Sequence, residues 1–179
     1  MEIQELYKLY EEHPCITTDS RNCPEGSIFL ALKGDSFNGN RFAVQALEKG
    51  CAYAIVDDQE AVEESLATSS FIPQPSSLIY VSDCLQTYKD LAREHRRRFQ
   101  IPVIGITGTN GKTTTKELVR AVLQTKYNVL ATEGNFNNDV GVPKTLFRLN
   151  DTHEIAIIEM GASHPGDIKT LAETAEPTC

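Results

Sequence analysis

The chain has 179 residues, with 17 Lys and Arg against 25 Asp and Glu for a formal net charge of -8. That length supports one good core or two small ones, and the acidic balance argues against broad nucleic-acid binding, which needs a basic face. No apolar run approaches the roughly 20 residues of a membrane span, and the acidic start Met1-Glu2-Ile3-Gln4-Glu5 lacks the apolar stretch of a signal peptide.

From the N-terminus, Ile3, Leu6, Tyr7, Leu9 and Tyr10 predict an amphipathic helix that His13-Pro14 ends. Ser27–Leu32 reads as a buried strand between Glu25-Gly26 and Lys33-Gly34. Phe42, Ala43, Ala46 and Leu47 mark a second helix, with Gly50 placed as its C′ residue. Ala52–Val56 and Ser77–Val81 predict two more strands, and Ser69-Ser70 with Pro73–Ser77 a surface loop between them. A linking helix follows, from about Asp83 to Phe99, and Arg96-Arg97-Arg98 reads as its solvated C-terminal end, where cations are favoured. The five cysteines (Cys15, Cys23, Cys51, Cys84, Cys179) are scattered, odd in number and without a Cys-x-x-Cys pair. Reduced thiols in a cytoplasmic protein, with neither disulfide nor zinc, are the natural reading.

From Ile101 the pattern alternates: strand Val103–Thr107, helix Thr113–Thr125, strand Asn128–Ala131, helix Pro143–Leu149, strand Glu154–Glu159. This is the pattern of an α/β fold with a parallel sheet. Three parallel strands make a thin sheet, and a further helix from His164 leads to Pro177-Thr178-Cys179, where a fourth strand would begin. The expectation is an N-terminal piece of a longer chain, divided into residues 1–82, a linking helix over 83–100, and a second domain over 101–179.

The segment Gly105–Lys116 carries the strongest signal. It joins an apolar strand to a helix, so unpaired backbone N–H groups and the helix dipole face whatever lies beneath the helix N-terminus. Gly108 and Gly111 let the backbone curl around an anion, Lys112 can reach terminal phosphates, and the Thr113 hydroxyl can ligate Mg²⁺. Ile106 stands where the longer phosphate-loop pattern has its first Gly, leaving the short form Gly-x-x-Gly-Lys-Thr. A glycine-rich turn alone would not explain Lys-Thr directly after the second Gly. The chain is expected to bind a nucleoside triphosphate.

Three further clusters stand out. Glu159 ends an apolar strand, where ligands of parallel sheets bind, and is a candidate Mg²⁺ carboxylate or else a cap on Gly161-Ala162-Ser163. His164, on the loop that follows, is either a further ligand or structural. Glu133–Pro143 holds Asn135, Asn137 and Asn138, an amide-rich loop that suits either substrate binding or an Asx-rich turn before a Pro-started helix.

Gly108-Thr109-Asn110-Gly111-Lys112-Thr113-Thr114 resembles the ATP loop of the Mur ligases, the amide synthetases of peptidoglycan precursors. Gly134–Leu146 and Glu159–Ile168 look like segments of the branch that adds a dipeptide, rather than of the sister branch that adds the third peptide residue. Thr17–Arg21 and Phe29–Gly34 are similar to the N-terminal UDP-recognition region. Ser163 and Asp167 stand where such proteins more often have Asn and Glu, and Asn40 where they often have His.

The resemblance implies a small N-terminal α/β UDP-binding domain followed by the start of a P-loop-type parallel-sheet ATPase domain. It implies a monomer using ATP and Mg²⁺ to join D-alanyl-D-alanine to UDP-MurNAc-tripeptide through an acyl phosphate. Residues 108–114 would bind ATP. Lys112, Glu159 and His164 would be catalytic, and Thr113, Glu159 and His164 would hold metal. Ser20, Arg21, Lys33, Gly34, Asn40, Asn135, Asn137 and Asn138 would meet substrate. The carbamylated lysine of several relatives, and their C-terminal domain, would lie outside this chain.

Overall fold

The structure, a computed structural model, describes residues 2–34 and 36–179. The chain forms two compact units, Met1–Thr87 and Tyr88–Cys179.

The first unit contains helices α1 (Ile3–Glu12), α2 (Ala43–Glu48) and α3 (Gln59–Thr68), and strands β1 (Ile16–Thr17), β2 (Ile28–Leu30), β3 (Lys33–Gly34), β4 (Phe37–Asn38), β5 (Tyr53–Val56) and β6 (Leu78–Tyr80). Four strands make a parallel sheet in the order β1-β2-β5-β6, and β3 and β4 form a separate antiparallel hairpin. Ile28, Phe29 and Leu30 are all buried, as are Ala54, Ile55 and Val56, which is the continuous apolar run expected of strands covered on both faces. Gly50 follows α2 at φ +108, as its place after the helix predicts.

Helix α3 lies between a predicted strand and the predicted loop, in a stretch for which no element was predicted. Its N-cap is Asp58, whose side chain accepts from the Ala61 N–H at 3.1 Å. The cysteines are less scattered than their spacing suggests. Burial, together with the neighbouring Cys23 and Cys15 sulfurs, pushes the Cys51 thiol up to about 11, against the lowering effect of the Ser27 hydroxyl.

The second unit is built on β7 (Val103–Ile106), β8 (Val129–Ala131) and β9 (Ile155–Glu159), all parallel, in the order β7-β9-β8. Glu159, two strands beyond the phosphate loop in the chain, is therefore on the strand directly beside β7 in space. Thr178 and Cys179 bond back to Val103 and Gly105, extending the sheet past β7. Helices α5 (Lys112–Leu123), α6 (Gly141–Leu146) and α7 (Asp167–Ala175) complete the unit, and helix α4 (Cys84–Arg97) contains the division between the two units.

The period of two along β9 decides the position of the site. Ala156 and Ile158 point into a core with Val142, Leu146 and Leu171. Ile157 points to the other face, among Ile106, Val129 and Ala131, where Val119 and Leu123 of α5 pack. Glu159 follows Ile157 by two residues, so it emerges on the α5 face.

The triple-arginine end of α4 is solvated only in part: Arg97 and Arg98 are exposed, as expected, but Arg96 is not. Arg96 is buried, and its guanidinium donates to the carbonyls of Ala175, Phe99 and Glu176. Arg97 pairs with the Glu176 carboxylate. The C-terminal end of α7 supplies the acceptors other than Phe99, which no local pattern around residue 96 announces.

Candidate functional site

The phosphate loop runs from the end of β7 to the start of α5. Gly108 has φ +143, and Gly111, the N-cap of α5, has φ +79, both in the region that L side chains rarely adopt. The first-turn N–H groups of Lys112, Thr113 and Thr114 have no acceptor within the helix and face outward at its positive end. Thr109, Asn110 and Thr114 are exposed. The Lys112 ammonium spans the loop and donates to the Gly108 carbonyl at 2.8 Å.

Glu159 is 1 % exposed, so its carboxylate depends on the groups around it. Its Oε1 accepts from the Thr113 hydroxyl at 3.1 Å and from the Asn137 amide at 2.9 Å. Oε2 is buried and accepts no hydrogen bond from the described residues, but the Lys116 ammonium lies 3.6 Å away. Lys116 is as buried as Glu159. Its Nζ donates to the Thr132 carbonyl at 2.7 Å and lies 3.1 Å from Glu117. The Thr132 hydroxyl accepts from the Glu159 N–H at 2.9 Å, so one residue at the end of β8 anchors both charged groups.

Sequence reasoning missed Lys116 and Thr132. A signal for Lys116 was present: it follows Lys112 by four residues and Thr113 by three, so all three lie near one face of α5.

The amide loop divides its work. Asn137 is held at both ends: its side chain bonds to Glu159, and its carbonyl accepts from the Gly161 N–H at 2.8 Å. Asn138 uses its side-chain oxygen to accept from the Gly141 N–H at 2.8 Å, an Asx turn leading into α6. Asn135 is exposed. A Cβ on Gly141 would come within 2.4 Å of the Phe136 backbone, so only glycine allows this loop to close on α6.

His164 is not drawn to Glu159 by any contact. Its side chain is 83 % exposed, with Nδ1 3.8 Å from Asp167. The backbone N–H groups of His164 and Ser163 both donate to Asp167, which holds that carboxyl below its usual range. Among the described residues no group of three His, Cys, Asp or Glu side chains comes together around a metal position. The hydroxyl of Thr113 and the carboxylate of Glu159 are nevertheless the hard oxygen donors that Mg²⁺ takes, beside a loop suited to phosphate, and this donor pair fits that ion.

In the first unit, Thr18, Asp19, Ser20 and Arg21 line a pocket of about 450 Å³ with Phe37 and Phe42. The two rings stack at 5.3 Å, 9° from parallel. Ser20 is buried and its carbonyl accepts from Lys49. The cations expected to be free for substrate are already paired. Arg21 is bonded to Asp19 through Nε and Nη2, both at 2.9 Å, which lowers that carboxyl to about 2. Lys33 lies 3.1 Å from Asp57 and 3.6 Å from Asp58, while Gly34 is exposed beside it.

Asn40 is wholly buried, and its amide serves the fold. It donates to Asn38 and Asp57 and accepts from the Asp57 N–H. Burial raises the Asp57 carboxyl, but the Cys84 N–H, Asn40 and Lys33 outweigh it and leave Asp57 below its usual range.

The Mur ligase family, catalytic domain, matches residues 14–104, and the Mur ligase middle domain matches residues 106–179. The chain belongs to the Mur ligase family. Among curated Mur ligases it is 45 % identical over 163 residues to the UDP-N-acetylmuramoyl-tripeptide--D-alanyl-D-alanine ligase of Synechocystis sp., covering 91 % of this chain and 34 % of that protein. It is 39 % identical to the Bacillus subtilis ligase of the same name, covering 90 % of this chain and 34 % of that one.

Solved Mur ligases agree. MurF from Acinetobacter baumannii superposes with a TM-score of 0.79 at 36 % identity, over 90 % of this chain and 33 % of the other. MurF from Thermotoga maritima, solved in complex with ADP, gives 0.78 at 33 % identity, over 91 % and 35 %. The chain thus spans about a third of the length of the relatives it matches.

Proposed function

We propose that this chain is the UDP-substrate- and ATP-binding part of a Mur ligase that joins D-alanyl-D-alanine to UDP-MurNAc-tripeptide. The observation that carries this reading is the convergence of Thr113 and Asn137 on Glu159 at the mouth of the phosphate loop. Similarity to ligases named for this reaction, and to a relative solved with ADP, supports it.

A carboxylate acylates poorly because an oxide would have to leave. Transfer of the γ-phosphoryl group of ATP to the tripeptide carboxylate, with ADP leaving, gives an acyl phosphate. The dipeptide amine then attacks the acyl carbon, loses a proton and expels phosphate. In this scheme the N–H groups of residues 108–114 and the Lys112 ammonium bind and neutralise the phosphates, and positioning carries most of the acceleration. Thr113 and Glu159 are the residues that would hold Mg²⁺, which when bound offsets charge on the phosphate oxygens. Asn137 orients Glu159. The pocket between the Thr18–Arg21 turn and the stacked Phe37 and Phe42 is the proposed seat of the UDP end, with the edges of Ser20 and Gly34 beside it.

The test is ATP-dependent ligation by the full-length protein carrying Lys112→Ala. Losing a charge-assisted phosphate contact costs about 1.5–3 kcal/mol in binding and more in the transition state. Ligation should fall by roughly a hundredfold or more, and turnover at the wild-type rate would refute the assignment.

A further inference from the structure

We propose that Lys116 is a positioning residue for the nucleotide site: it fixes the inner oxygen of Glu159 so that the outer oxygen stays aimed at the phosphate loop. This rests on the ATP-binding reading above and adds to it a residue that lies outside the loop itself.

The argument starts from burial. Two oppositely charged side chains, each about 1 % exposed, lie 3.6 Å apart inside a small α/β unit. Such a pair is an expensive way to gain stability, because desolvation of both charges opposes their attraction and a well-packed apolar pair serves the fold as well. The geometry shows what the charges do instead. The two oxygens of Glu159 face different groups. Oε1 meets Thr113 and Asn137, both of which come from segments at the mouth of the loop. Oε2 points inward, accepts no hydrogen bond from the described residues and has the Lys116 ammonium as its charged neighbour.

Lys116 is itself fastened. Its ammonium donates to the Thr132 carbonyl, and the same Thr132 accepts the Glu159 N–H through its hydroxyl. Helix α5, strand β9 and the end of β8 are therefore tied at one point. A carboxylate held this way keeps one oxygen available to a cation at the loop and cannot turn it inward. Glu117, 3.1 Å from Lys116 and half exposed, shares the ammonium without reaching the loop side.

The experiment uses the 179-residue chain and compares wild type, Lys116→Met, Glu159→Gln and the double variant. Two quantities are read: the melting temperature, and the affinity for ATP with Mg²⁺ and with a chelator in its place. Lys116→Met should leave ATP affinity in chelator within about twofold of wild type while removing the gain from Mg²⁺, a loss of about tenfold or more. It should also lower the melting temperature by roughly 10 °C, because a buried carboxylate is left without its partner. Glu159→Gln in that background removes the stranded charge, so the double variant should melt higher than Lys116→Met alone and bind Mg²⁺-ATP no worse than Glu159→Gln alone.

A wild type that gains nothing from Mg²⁺ would overturn the nucleotide reading. With the wild-type gain intact, a Lys116→Met chain that keeps it, or a double variant whose losses simply add, would overturn the role of Lys116 alone. Should Lys116→Met fail to fold, Lys116→Gln, which keeps a donor for the Thr132 carbonyl without the charge, takes its place: loss of the Mg²⁺ gain is expected, and a retained gain would overturn the role of Lys116.

Discussion

At Glu159, Gly141 and Asn40 single side chains show how closely this fold is determined by local chemistry. Gly141 is the sharpest case, with the Phe136 backbone 2.4 Å from where its Cβ would stand. Gly141→Ala should destabilise the second unit by about 2 kcal/mol or more, since backbone on both sides must shift. A melting temperature within a degree of wild type would contradict that packing. The position of Glu159 was legible, because an acid ending an apolar parallel strand emerges at the edge of the sheet where the phosphate loop also lies. Asn40 was not legible. Substrate contact was expected of it from the family resemblance alone, and nothing near residue 40 announced that Asp57, far along the chain, would bind its amide at both ends. The pairing of Lys33 was missed for the same reason, since it meets Asp57 and Asp58 only once β3 lies near the end of β5.

At the scale of elements, periodicity located most helices and strands, because buried strands and amphipathic helices write their faces into the sequence. Helix α3 escaped although Asp58 was available as its cap, since Val62 and Ala61 are its only buried residues and the apolar stripe is correspondingly faint. Helix α4 carries a pH-sensitive device. His95 is buried, and its Nε2 lies 3.1 Å from the Leu149 carbonyl. Burial pushes its pKa below the usual value of 6.5, against the bond to Leu149 and with help from Arg98.

The unfolded chain therefore takes up the His95 proton first as pH falls. The stability this residue contributes is present above about pH 6.5 and is lost on acidification toward the lower folded value. His153, also lowered by burial, adds an effect of the same sign. Melting temperatures between pH 7.5 and 5.5 should fall for wild type and fall less steeply for His95→Gln, which keeps a donor for Leu149 and does not titrate. Equal slopes would contradict this account.

On the scale of the whole molecule, the alternation of strands and helices after Ile101 announced an α/β protein with a parallel sheet, whereas the division into two compact units falls between Thr87 and Tyr88, inside α4. The order β7-β9-β8 was beyond reach, because adjacency within a sheet depends on crossovers that leave no local trace. Two compact units lead to an expectation about the first. A polypeptide of residues 1–87 should fold alone and bind UDP-MurNAc-tripeptide more tightly than the same muramyl tripeptide without UDP, and calorimetry showing no preference would refute the UDP assignment. The central claim, that the loop at residues 108–114 binds ATP, is tested most directly by titrating ATP with Mg²⁺ into the 179-residue chain and its Lys112→Ala variant in a calorimeter. The expected result is saturable binding by wild type that weakens by about tenfold or more in the variant; no binding by either chain, or equal affinity in both, would contradict it.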